Sequence, residues 1–357
     1  MIIFRADGNP DIGLGHIMRC LSIADAGQKF DVHSLFIAAS DDFKDVIKEH
    51  GHEVIILNTD YKNMLSEVNE MDKLLRMYRP SALFVDSYQV TSAYMYALWE
   101  TCKSVNSRLV YIDDVLAFAY PCDILLNYNI YGPDKKDEYK SLYQKKRILC
   151  PELLLGTSYV PLRAEFQSLP DRVVKKQAQK ILISTGGADP DHIAMELAKY
   201  IVCNDSKFEQ FHFHFIIGAM NDDRFEIEKL TAMNDSLILH CNVQHMQLLM
   251  SDVDLAISAA GSTLYELCAT QTPAVTYILA DNQMPGAEKF EENEVLRCVG
   301  DIRQLKSSFT EKVLEEAVRL AGDYEERVRI ADRQRLVVDG NGAKRIIEAV
   351  RRGKKYV

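Results

Sequence analysis

Short runs of aliphatic and β-branched residues recur along the chain, separated by longer stretches whose apolar positions fall three and four residues apart. The first pattern belongs to buried strands and the second to amphipathic helices, and their alternation is that of parallel strands joined by crossover helices. Strands are expected at 2–6, 33–38, 53–57, 82–86, 108–112 and 123–126. The stretch 161–179, with Pro161, Pro170, many charges and little strand character, is the expected linker. A second series follows at 180–184, 212–217, 237–240, 255–258 and 274–278, with helical patterns such as 191–202 and 264–270 between them. The tail 310–352 is helical in period and broken at Gly340-Asn341-Gly342. The division expected is therefore 1–160, a linker 161–179, a second domain 180–340, and a last helix over 341–357 that packs back onto the core. The fold class expected is α/β, with two Rossmann-like, doubly wound parallel-sheet domains facing a cleft, because open sheets of this kind take ligands beyond the carboxyl ends of their strands.

A length of 357 residues suits two domains, each able to bury its own core. The net charge of -10 argues against a nucleic-acid partner, which needs a basic face. No window of eighteen apolar residues and no secretory leader is read, so no membrane partner and a cytoplasmic location are expected. The eight cysteines are scattered and never spaced Cys-x-x-Cys, which reads as buried thiols in a reducing compartment.

The first strand ends in Arg5-Ala6-Asp7-Gly8, and the loop that follows delivers His16 at the start of a helix with apolar spacing at Ile17, Leu21 and Ala24. Gly13 and Gly15 let that loop turn tightly and approach a ligand. A dinucleotide fingerprint fails because its third glycine would fall at Met18, so no nicotinamide cofactor is expected. A histidine so placed is a candidate general base; its plainer role is to cap the turn. Arg19, three residues on, shares its face and can fix a carboxylate or phosphate, or make a surface ion pair. Tyr88, just past Phe84-Val85-Asp86, is a fair ligand contact, whereas Asp113-Asp114 reads as a turn or helix cap. His212 and His214 share a strand face without a third ligand, so no metal is expected there.

In the second series, Ile181 to Gly187 is a strand ending in the pair Gly186-Gly187, a turn that offers amides to an anion but is also an ordinary strand-to-helix connection. Ile257 to Glu266 reads as strand, small-residue turn and helix, with the hydroxyls of Ser262 and Thr263 in its first turn. These groups suit a diphosphate. Glu266, one turn in, can accept both hydroxyls of a ribose or complete a capping box. Asn282 and Gln283 follow the next strand and bring amides to the same face.

Together with Val85-Asp86-Ser87-Tyr88, Tyr111-Ile112-Asp113-Asp114, Asp123 to Asn127 and Pro161 to Phe166, these motifs resemble a known family. It is that of the UDP-2,4-diacetamido-2,4,6-trideoxy-β-L-altropyranose hydrolases of pseudaminic acid biosynthesis, which includes spore-coat polysaccharide homologues, and the likeness runs in order through roughly the first 300 residues. The resemblance implies a GT-B-like fold in a bacterial enzyme, UDP held mainly by the second domain, and no cofactor or metal. It implies His16, Tyr88 and Asn282 as the catalytic set, with His16 activating water. It implies substrate contacts from Asp7, Gly13, Gly15, Arg19, Arg163, Gly186, Gly187, Ser262, Thr263, Glu266 and Gln283. Water would attack the anomeric carbon with inversion, releasing UDP and 2,4-diacetamido-2,4,6-trideoxy-L-altrose. A GT-B glycosyltransferase would share every UDP contact and pass the sugar to an acceptor instead; 39–69 lacks the apolar, basic patch that a membrane-docked transferase would carry. A binding protein without catalysis would have no need of His16.

Overall fold

In the structure, a computed structural model, residues 1–9, 12–187, 189–218 and 221–352 are described. Pro10 and Asp11 of the expected ligand loop, Ala188 after the glycine pair, and 353–357 of the expected last helix lie outside them. The aliphatic runs form strands β1 (Ile2–Ala6), β2 (Ser34–Ala38), β3 (Glu53–Ile56), β4 (Ala82–Asp86), β5 (Arg108–Ile112), β6 (Ile124–Asn127) and β7 (Glu152–Leu155). They pair in parallel in the order β3-β2-β1-β4-β5-β6-β7. A second parallel sheet holds β8 (Lys180–Ser184), β9 (His212–Ile217), β10 (Leu237–Cys241), β11 (Leu255–Ala259), β12 (Ala274–Ile278) and β13 (Arg297–Asp301), in the order β10-β9-β8-β11-β12-β13. Helices on both faces bury the central strands completely, which is why they read as unbroken hydrophobic runs rather than as alternation.

Strands β7 and β13 escape the sequence pattern. β7 begins with Glu152, and β13 carries Arg297, Gly300 and Asp301 beside an irregular register with β12, so neither reads as an unbroken aliphatic run.

Two compact units result. One runs from Met1 to Ala164 and takes back the chain from Gly340 onward; the other is Glu165–Asp339. Much of the stretch 161–179 is bonded into the second unit. Arg172 donates to the carbonyls of Met250 and Val253 and, at 2.9 Å, to Thr272 Oγ1, while Arg327 donates to the carbonyls of Lys175 and Lys176 at 2.8 and 3.0 Å. The helix Gly342–Arg351 packs against Gly15–Gln28 in the first unit, and its Ala349 carbonyl accepts from Arg108 Nη1 at 2.9 Å.

In each sheet the chain winds outward from the first strand in one direction, then returns to begin again on its other side. The connections leaving the two adjacent strands diverge there, opening a crevice at their carboxyl ends. These switch points lie between β1 and β4 and between β8 and β11.

Candidate functional site

Ala6 stands opposite Asp86 in the β1–β4 register, so the loop after β1 and the end of β4 emerge side by side. The helix that starts at Gly15 presents His16 in its first turn, and His16 Nδ1 lies 2.7 Å from Asp86 Oδ1. Both side chains are buried. Arg19 Nη2 is 3.0 Å from the same ring nitrogen. A guanidinium can only donate, so if Nδ1 carries the proton that Asp86 accepts, the Arg19 approach is a contact and the Asp86 bond sets the ring. Nε2 makes no hydrogen bond among the described residues.

Arg19 forks onto both Asp86 oxygens and also donates to Asp114 Oδ2 at 2.9 Å and to the Tyr128 hydroxyl at 2.8 Å. Burial alone would raise the Asp86 carboxyl; the charge of Arg19, then of His16, holds it well below the usual carboxylate range. Asp114 further accepts from Tyr88 Oη at 2.8 Å and Asn129 Nδ2 at 2.9 Å. Tyr88 sets its ring edge-on to His16, with centroids 4.9 Å apart. Burial and then Asp114 keep the Tyr88 phenol protonated far above its ordinary range. Its neighbour Asp113 does serve a turn, accepting the amides of Val115 and Leu116 at 3.0 Å, with Tyr139 donating at 2.6 Å.

Two residues expected at the substrate turn inward instead. Arg19 engages the carboxylates and phenol just named. Asp7 accepts the Ala39 amide at 2.7 Å and lies 2.6 Å from Arg5, whose guanidinium is buried and held two-pronged by Glu67 at 2.7 and 2.8 Å. Both charges thus have partners inside the unit. Asn9, whose Oδ1 accepts Ile12 N and whose carbonyl accepts Gly13 N, braces the loop that carries Gly13 and Gly15. Arg163 is half-buried at the end of this unit.

In the second unit Ser184 pairs with Ser258, and Ser258 with Thr276, so three connections leave adjacent strands together. After β8, Gly186 adopts φ +101, a backbone that side chains resist, and Gly187 has open space around it. After β11, Gly261 opens the turn into Thr263–Ala269; Ser262 is exposed and makes no side-chain cap, Thr263 and Glu266 are half-buried. After β12, a 3-10 turn spans Asp281–Gln283, in which Asn282 is exposed while Gln283 Oε1 accepts the Leu279 amide at 2.8 Å. Asp-x-Asp spacing occurs twice, at Asp189/Asp191 and Asp252/Asp254, but Asp189 caps the helix Ile193–Cys203 through the Ile193 and Ala194 amides, and Asp254 accepts those of Gln179 and Lys180. His214 Nδ1 meets His240 Nε2 of β10 at 2.9 Å.

Asp86 and Asp114 are the site residues that sequence reasoning passed over. One ends a buried strand and the other reads as a turn, and only their 2.7–2.9 Å approach to residues far away in the chain reveals them.

Residues 173–355 match the family model described as the glycosyltransferase family 28 C-terminal domain. An uncharacterised protein of Methanocaldococcus jannaschii is 26% identical over 79% of this chain, which spans 56% of that relative's length. The UDP-2,4-diacetamido-2,4,6-trideoxy-beta-L-altropyranose hydrolase of Campylobacter jejuni is 24% identical over 78% of this chain and 92% of its own. The spore coat polysaccharide biosynthesis protein SpsG of Bacillus subtilis is 21% identical over 96% and 95%. Among solved structures, MurG of Acinetobacter baumannii aligns over 98% of both chains with a TM-score of 0.63 at 12% identity. The UDP-GlcNAc 2-epimerase of Neisseria meningitidis, bound to UDP-GlcNAc, aligns over 98% of this chain and 99% of its own with a TM-score of 0.62 at 14% identity. Two parallel-sheet α/β domains with these neighbours make the fold GT-B-like, as expected from the sequence.

Proposed function

Because this chain belongs to the glycosyltransferase family 28 C-terminal domain family, we propose that it acts on a UDP-sugar, and that it hydrolyses a UDP-linked diacetamido-trideoxy sugar at the anomeric carbon. The observation that carries the reading is the pair His16–Asp86 at the β1/β4 switch point, with Nδ1 held and Nε2 open. Nε2 takes a proton from water as the water oxygen bonds to the anomeric carbon. The bond from that carbon to the β-phosphate oxygen breaks with inversion, and UDP leaves with the electron pair. Asp86 fixes the ring and offsets the charge of the imidazolium that forms; Arg19 keeps Asp86 ionised. Tyr88 borders the base. From the second unit, the amides around Gly187 and the first turn at Ser262 and Thr263 hold the diphosphate, Glu266 accepts the ribose hydroxyls, and Asn282 reaches the sugar. No metal or cofactor enters this scheme. The similarity to SpsG, and to a Helicobacter pylori protein named as both a pseudaminic acid cytidylyltransferase and a UDP-2,4-diacetamido-2,4,6-trideoxy-beta-L-altropyranose hydrolase, supports a place in pseudaminic acid or related surface polysaccharide synthesis.

The family model favours a second reading, in which an acceptor hydroxyl replaces water. Incubation with a panel of UDP-sugars and no acceptor separates the two: hydrolysis releases UDP at once, with label from ¹⁸O-water on the sugar. UDP release only after an acceptor is added would make the chain a transferase, and label on UDP would make it a phosphohydrolase.

A further inference from the structure

In the first unit the helix Lys136–Lys146 ends on Arg147, whose left-handed φ of +54 stops the helix. Across this end the chain reads Lys145-Lys146-Arg147-Ile148-Leu149, and all five side chains are exposed. Leu149 is 88% exposed and Ile148 37%, although both are aliphatic and the chain enters a sheet at Glu152. Elsewhere on the surface, helical lysines answer an acid one turn away, as Lys73 does Glu70, Lys103 does Glu100 and Lys229 does Glu226. Lys140, Lys145, Lys146 and Arg147 have no such partner among the described residues. Glu152, the acid nearest in sequence, is taken up by Arg352 at the end of the returning helix, 3.8 Å away, and so leaves these four cations unanswered. In a chain of net charge -10, this is a concentrated positive tip with two aliphatic side chains held in water.

We propose that the tip 145–149 docks this unit onto a membrane surface that carries anionic lipid. The cations match lipid phosphates, and Ile148 and Leu149 enter the headgroup boundary beside them. A nucleic-acid backbone would satisfy the cations but leave both aliphatic side chains wet, and an apolar protein patch would do the reverse. No described helix is long and apolar enough to cross a membrane, and surface docking needs none. The expectation of no membrane partner came from eighteen-residue hydropathy windows, which do not register five residues at the end of a helix.

The test is co-sedimentation of the full chain with vesicles of phosphatidylcholine alone and of phosphatidylcholine with phosphatidylglycerol, in low and high salt. The parent protein should sediment only with the anionic vesicles, and lose them in high salt. Lys145→Glu, Lys146→Glu and Arg147→Glu combined should lower the partition by roughly 100-fold, since each cation contributes about fivefold. Leu149→Ser should lower it by roughly tenfold. Both variants should keep the parent's melting temperature and its behaviour toward UDP-sugars in solution. Equal partition into neutral and anionic vesicles, full binding by the triple variant, or a single-stranded polynucleotide that binds while anionic vesicles do not, would overturn the proposal.

Discussion

A histidine serves as a base only through the nitrogen that is not already committed, and Asp86 decides which one that is. With Nδ1–H donated to Asp86, the ring offers Nε2. His16→Asn keeps the shape and removes the base, so turnover should fall by about 10²–10⁴-fold while UDP affinity, read by calorimetry, stays level. Turnover near the parent's would take His16 out of the mechanism. Asp86→Asn should reduce turnover by a similar factor and also move the ¹⁵N shifts of His16 away from the Nδ1–H tautomer, a signature that simple loss of packing would not give. It leaves the buried Arg19 with Asp114 alone, so a lower melting point should accompany it. His16 and Tyr88 could be picked from the sequence because each follows a strand end, where an exposed polar residue is conspicuous. Asp86 could not, since it is the last residue of an aliphatic run and its partners Arg19 and His16 lie 67 and 70 positions earlier. Arg19 is expected at the substrate because its spacing puts it on the face of His16, and Asp7 because the resemblance implies it; neither signal shows which charges meet inside the unit.

The turns at the β8/β11 switch point depend on how closely their backbones approach. Gly218, just after β9, has no room for a methyl group, which would overlap the Gly187 carbonyl. Gly218→Ala should therefore displace the Gly186-Gly187 turn, lowering stability by about 2–3 kcal/mol and UDP affinity at least tenfold; unchanged affinity would remove that turn from the nucleotide site. In the neighbouring strands, burial, and then His240 and Lys180, push the His214 imidazole down to about 4. A base whose folded pKa is depressed contributes fully above its unfolded value near 6.5, and that contribution is lost as pH falls from there toward 4. Urea unfolding should show the parent losing on the order of 2 kcal/mol more than His214→Leu between pH 7.5 and 4.5. Equal slopes would mean that the pair titrates alike folded and unfolded. The central strands were legible as hydrophobic runs because helices cover both their faces. The strands β7 and β13 were not, since Glu152 interrupts the first and Arg297, Gly300 and Asp301 the second; the other two edges, β3 and β10, stay aliphatic enough to be read.

At the scale of the whole chain, periodicity recovered two sheets, but composition could not show where one unit stops. Pro161, Pro170 and the charges between them look like a tether until Arg172 and Arg327 are seen holding the carbonyls around them. A fragment spanning 165–339 should fold and bind UDP, whereas one beginning at Lys180 loses the Arg172 anchor and should melt at lower temperature. Ending the chain at Asp339 should destabilise the first unit by several kcal/mol, for it strips the apolar face of Ile346, Ile347 and Val350 and leaves Arg108 without its Ala349 carbonyl. The chain passes between the units twice, at 164 and at 339, and this orders its assembly on the ribosome. Residues 1–164 are made before 165–339 yet wait for a helix made after it, while 165–339 arrives whole and can close at once. The unit that carries His16 thus keeps one face open until the helix beyond Gly340 is made, so a product stalled within 165–339 would hold an unfinished first unit however well the second has closed.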